Sequence, residues 1–142
     1  MMNFSVFVEK ARDIEVTYHV TKDVYELFQK CSKDLNPLHT NSDFALQKGF
    51  QSCVMYGNIL NVFISHFVGM SLPSQDVMIQ TQDIQYRKPV WLGDRILLKS
   101  TIEKVSNAVE IVNFKLKFYR LNSVDEELVA TGHVQVGILK DK

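Results

Sequence analysis

The chain has 142 residues with 16 basic and 16 acidic side chains, a length that suits a single domain over residues 1–142, able to bury a core without disulfides or metal. The balanced charge removes the electrostatic footprint of a nucleic-acid binder, so a polyanion is not an expected partner. Met1 to Glu9 has no basic n-region, and the most apolar stretch, Ile59 to Met70, is broken by Asn61, Ser65 and His66; no secretory leader or membrane span is expected, and the protein is expected to be cytoplasmic.

Ile14, Val16, Tyr18 and Val20 alternate with Glu15, Thr17 and His19, the period of a half-buried strand with His19 on its outer face. Thr21 is placed to cap a helix whose inward face is Val24, Leu27, Phe28 and Cys31, and this helix delivers the chain to Ser32. Asn41 or Ser42 can cap a second, short helix through Phe44, Ala45 and Leu46 that ends at Gly49. From Gly57 to about Val68 apolar residues occupy nearly the whole circumference, the pattern of a buried helix. Its polar residues Asn58, Asn61 and Ser65 fall at i, i+3 and i+7 and form one stripe. His66, about 100° round from Ser65 and near the C-terminal end, reads as structural.

Strands follow. Val77 to Arg87 changes apolar phase between Ile79 and Ile84, which predicts a bulge near Thr81 to Asp83. Lys88-Pro89 and Leu92-Gly93-Asp94 mark a connection, and strands are expected over Arg95 to Val105, through Val112 to Phe118, and over Leu128 to Leu139 after a turn at Asn122 to Glu126. Short turns between successive strands imply antiparallel pairing. The two cysteines, Cys31 and Cys53, lack metal-ligand or redox spacing and are expected to be free, partly buried thiols.

The stretch Ser32-Lys-Asp34-Leu-Asn36-Pro37-Leu-His39 carries the chemistry. Asn36 precedes proline and is pushed to extended backbone, so a carboxylate and an imidazole are held close together on a fixed, non-helical segment. Such a pair can grip and polarise water, as hydration, dehydration or hydrolysis requires. The same residues are also ordinary turn formers, in which Asp34 and Asn36 bond nearby amides and His39 is a bystander. Spacing alone leaves both readings open.

Phe28 to His39 resembles the hydratase motif of the MaoC-like, (R)-specific enoyl-CoA hydratase family, with Ser32, Asp34, Asn36, Pro37 and His39 at the family's spacing. The resemblance continues through Phe50 to Gly57, Ser65, Leu72-Pro73, Lys88-Pro89-Val90 and Gly93-Asp94. It implies an α+β hot-dog fold, an antiparallel sheet wrapped around a long central helix. It also implies that Asp34 and His39 are the catalytic pair, that Ser32, Asn36, Tyr56 and Ser65 support the site, and that the substrate is an acyl thioester of CoA or acyl carrier protein. Tyr56 stands where the family commonly has His, Cys53 where it has Pro, and Lys33 where the motif often has Gly. At Gly57 the missing Cβ and the start of a helix favour close approach of a thioester oxygen. Lys88 and Arg87 are candidates to meet a CoA phosphate, although a basic pair at a strand end is usually just solvated. No metal or cofactor is expected, since no ligand cluster or nucleotide-binding glycine pattern is present. A homodimer joined at strand edges is expected, because a sheet on one helix leaves its edges bare. An acyl-CoA thioesterase and a non-catalytic acyl-thioester binding module are the alternatives; the first often uses a carboxylate on the central helix, and Gly57 to Val68 has none.

Overall fold

A computed structural model describes residues 1–142. Five helices and five strands follow in the order α1 Phe4–Lys10, β1 Glu15–His19, α2 Lys22–Ser32, α3 Pro37–Thr40, α4 Ser42–Gln47, α5 Ile59–His66, β2 Val77–Tyr86, β3 Arg95–Ser106, β4 Ile111–Leu121 and β5 Glu126–Ile138. The strands form one antiparallel sheet in the order β1-β3-β4-β5-β2, so β1 and β2 are its free edges. Along β4 the alternation read from sequence becomes burial: Val112, Phe114, Leu116 and Phe118 are all inaccessible. They form the floor on which α5 lies, with the Phe67 ring meeting Phe114 edge-on at 5.9 Å and Phe63 stacked on Tyr18 at 4.5 Å.

The caps follow the sequence. Thr21 Oγ1 accepts from the Val24 amide at the start of α2, and Asn41 Oδ1 accepts from the Phe44 amide at the start of α4. Gly49, at φ +86°, takes the left-handed conformation that ends α4. After α5 the chain widens into a π turn over Phe67–Ser71 and stops at Leu72, whose extended backbone is what a residue before proline must adopt.

Five expectations need correction. An additional helix, α1, precedes β1; Asn3 caps it and Phe7 and Ala11 anchor it in the core. In α2 the inward face is Val24, Tyr25, Phe28 and Gln29, whereas Leu27 is 63% exposed and Cys31 is exposed, because the polar ends of Tyr25 and Gln29 find partners below the helix. His39 does not sit on non-helical backbone: Pro37 opens the single turn α3, which Asn36 caps by accepting from the Leu38 amide. The β2 bulge is at Gln80, between Ile79 and Thr81. Nor is α5 buried all round. Ile59, Leu60, Phe63 and Ile64 face the sheet, but Val62 is 51% exposed and Ser65 and His66 are exposed, because one five-stranded sheet covers only one side of the helix.

Candidate active site

The hydratase-like segment leaves α2 through Lys33, a C-cap residue at φ +57°. That left-handed conformation suits glycine, so Lys33 adopts it at some cost while its side chain remains in solvent. Ser32 Oγ then accepts from the Asp34 amide and Asp34 Oδ1 accepts from the Asn36 amide at 3.0 Å. These are the turn bonds of the plainer reading; they leave the carboxylate further acceptor sites, and Asp34 is exposed.

His39 is half-buried. Its Nδ1 lies 2.7 Å from the Val54 carbonyl oxygen, an acceptor only, so Nδ1 carries the proton and donates it, leaving Nε2 as an acceptor in the neutral ring. Val54 is held in turn through the Leu38 carbonyl, and the next residue, Met55, donates to the Val90 carbonyl. The ring therefore sits where α3 meets the chain that leads into α5.

His39 and Gly57 line the same cavity, of about 300 Å³, together with Phe50, Tyr86, Arg87 and Lys88. The α5 N-terminus has no side-chain cap, and the Gly57 amide has no acceptor within the chain. An unpaired donor at a positive helix end is thus beside the imidazole's cavity. A Cβ on Gly57 would approach the Tyr86 ring to 2.9 Å, so the glycine also makes room for that ring. Tyr86 is steadied by the Asn61 amide at 3.3 Å, and burial raises the pKa of its phenol.

Tyr56 is 2% exposed and packs below the segment. Its hydroxyl donates to the Asp34 carbonyl at 2.5 Å and its ring lies 4.3 Å from that of His39. Asp34 and His39 are thus joined through Tyr56, although Asp34 does not line the cavity. Ser65 lies eight residues beyond Gly57 on the exposed side of α5 and bonds to none of the site residues. His66 bonds Tyr18 through Nδ1 at 2.9 Å, a structural contact.

Sequence reasoning missed four participants. Tyr25 and Gln29, one turn apart on α2, face the segment; Val54 fixes the histidine through its backbone; Arg120 holds the far wall. Arg120, 15% exposed, donates to Asp94 at 2.8 Å, to Glu127 at 2.6 Å and to the Pro89 carbonyl, while Lys88 also reaches Glu127 at 2.6 Å. Lys88 and Arg120 together hold the Glu127 carboxyl below its ordinary pKa. The i, i+4 spacing of Tyr25 and Gln29 was a readable signal; the Val54 carbonyl has none in sequence.

The MaoC like domain profile matches residues 4–124. The chain belongs to the MaoC-like family. This MaoC-like chain is 30% identical over 93 residues to an (R)-specific enoyl-CoA hydratase of Rhodospirillum rubrum, 66% of this chain and 64% of that protein. It is 24% identical over 95 residues to a mitochondrial 3-hydroxyacyl-[acyl-carrier-protein] dehydratase of Arabidopsis thaliana, 66% of this chain and 56% of that one. The matched stretches thus span less than two thirds of either relative. The (R)-hydratase of A. caviae involved in PHA biosynthesis superposes with a TM-score of 0.79 at 20% identity, over 90% of this chain and 95% of that one, and establishes the hot-dog fold. No helix of this MaoC-like chain is long and apolar enough to cross a membrane.

Proposed function

We propose that the protein is a hydratase/dehydratase that interconverts trans-2-enoyl thioesters and (R)-3-hydroxyacyl thioesters, working as a homodimer in the cytoplasm. The observation that carries this reading is the orientation of His39. Its Nδ1–H is committed to the Val54 carbonyl, so Nε2 is the nitrogen free to hold a water. The Gly57 amide on the same cavity is a donor for an oxygen that gains charge.

In the hydration direction a water held by His39 Nε2 and the Asp34 carboxylate loses a proton to Asp34 as its oxygen bonds to C3. The electron pair of the C2–C3 double bond moves toward the thioester, and the charge reaching the carbonyl oxygen is stabilised by the Gly57 N–H. C2 then takes a proton in exchange for the one Asp34 accepted, so that one water in total is added across C2–C3, and the carbonyl re-forms. Dehydration retraces these steps. Arg87 on the cavity wall, whose guanidinium meets the neutral Gln85 while Lys88 is paired with Glu127, supports an anionic handle, which a CoA or carrier-protein thioester supplies as phosphate. The homodimer is supported by two bare features, the β2 edge and the exposed side of α5 that carries Val62 and Ser65.

The test is loss of the conjugated-thioester absorbance when purified protein meets short- and medium-chain enoyl-CoA esters. Release of free thiol instead of hydration identifies a thioesterase, and saturable binding without turnover identifies an acyl-thioester binding module.

A further inference from the structure

The segment bearing Asp34 and His39 has little to hold it in place by itself. Residues from Ser32 to Pro37 are all exposed, and the side-chain bonds within that stretch are short-range ones between neighbours. The Thr40 hydroxyl reaches back to the Leu35 and Asn36 carbonyls and the Val54 amide holds the Leu38 carbonyl, while the carbonyls of Asp34 and His39 themselves are held from beneath. The Tyr56 hydroxyl donates to the carbonyl of Asp34 at 2.5 Å, and the Tyr25 hydroxyl donates to the carbonyl of His39 at 2.9 Å. One amide joins the two phenols: Gln29 Nε2 lies 3.2 Å from the Tyr56 oxygen and 3.3 Å from the Tyr25 oxygen.

The stoichiometry closes. A glutamine amide nitrogen has two hydrogens and a phenol has one, so Gln29 supplies one to each tyrosine and each tyrosine supplies one to a carbonyl. Every donor in this chain of bonds has an acceptor, and all point the same way, from α2 outward to the two residues of the site. The rings add contact: Tyr25 and Tyr56 stack at 5.5 Å, Phe28 meets Tyr56 at 4.9 Å, and Tyr56 meets His39 at 4.3 Å. Burial, and secondarily the neighbouring Tyr56, raises the pKa of Tyr25, further from the neutral range in which any phenol is already a donor.

We infer that Tyr25, Gln29 and Tyr56 form a clamp that sets the separation and orientation of Asp34 and His39, so that all three are positioning residues for the water-activating pair. The inference rests on the hydratase reading. It assigns a role to the tyrosine that replaces the family's usual histidine: its hydroxyl reaches past the histidine ring to the backbone of the carboxylate. Because a hydrated pair must be held to about half an ångström, loosening either end lowers the rate without removing a reacting group.

The experiment compares wild type, Tyr25→Phe, Tyr56→Phe and Gln29→Leu for enoyl-CoA hydration, well below their melting temperatures. Each Tyr→Phe change keeps the ring and deletes the donor. A fall of roughly ten- to a hundredfold in kcat, with KM changed less than about threefold, is expected for each tyrosine variant, in keeping with the sensitivity of aligned groups to misplacement of about 1 Å. Gln29→Leu should lower kcat less, since both tyrosine–carbonyl bonds survive. Lowered melting temperatures with wild-type kcat in both tyrosine variants overturn the clamp and leave the hydratase reading intact. An inactive wild type removes that reading and the clamp with it. If Tyr56→Phe does not fold, kcat of Tyr25→Phe decides by the same criterion.

Discussion

The substitution Asp34→Asn separates the two readings of the central segment more sharply than any other change. It retains an Oδ1 to accept the Asn36 amide, and the backbone bonds to Ser32 and Tyr56 do not involve the altered atoms. The side chain is exposed, so stability should change by no more than about 0.5 kcal/mol, a shift in melting temperature of roughly 2 °C. Asparagine cannot take the proton of the attacking water, and a positioned base is worth about a hundred- to ten-thousandfold, or roughly 2.7 to 5.4 kcal/mol of barrier. His39→Ala should slow hydration comparably. It also strands the Val54 carbonyl and removes a ring from Tyr56, at about 1 to 2 kcal/mol of stability. Because both side chains hold one water, the double variant should be little slower than the slower single one. The assay is initial rate of absorbance loss with an enoyl-CoA, paired with thermal melts of the same preparations. An Asp34→Asn protein that melts early and hydrates at the wild-type rate would refute the base assignment and leave the segment as a turn.

The Gly57 site needs a two-step test, because its missing Cβ serves both the amide and the Tyr86 ring. Gly57→Ala should cost on the order of a hundredfold in kcat, the loss typical of a blocked oxyanion donor, and Gly57→Ala/Tyr86→Ala should remain slow; recovery in the double variant would show that the glycine serves only the ring. Arg120→Met leaves the Asp94 carboxylate, which is 14% exposed, with only the Trp91 amide as partner and frees the Pro89 carbonyl; a loss of about 3 kcal/mol in urea unfolding is expected, and a loss under about 1 kcal/mol would mean the network is slack. Val62→Glu places a charge on the bare side of α5 and should halve the particle mass in light scattering while leaving the circular dichroism of the chain unchanged; an unaltered mass would remove that face from the dimer interface.

Strand phase was readable because it needs only period two: β4 presents Val112, Phe114, Leu116 and Phe118 to the core as the alternation requires. Caps were equally local, and Thr21 and Asn41 act where expected. Helix faces were less secure. Hydropathy put Leu27 and Cys31 inside α2, yet the face that turns inward carries Tyr25 and Gln29, whose polar atoms are satisfied by partners distant in sequence. The same limit hid α1, where Phe4, Phe7, Val8 and Ala11 do fall at i, i+3, i+4 and i+7 behind an Asn3 cap, but over too short a run to stand out.

The two misjudged helices have one cause. A hydropathy pattern reports how much apolar surface a helix has, not how much of it the rest of the chain can cover. On α5 the apolar circumference exceeds what a single sheet can shield, and Val62 is left in solvent beside Ser65 and His66. On α2 the reverse holds: an inward face with two polar residues is tolerated because the Tyr25 hydroxyl and the Gln29 amide nitrogen are both paired. The surplus on α5 is the surface that the proposed homodimer would cover, and the pairing on α2 is what the proposed clamp requires. Both departures from the simple pattern fall on the elements that border Asp34, His39 and Gly57, which is where the proposed hydratase site would set residues by function rather than by folding alone.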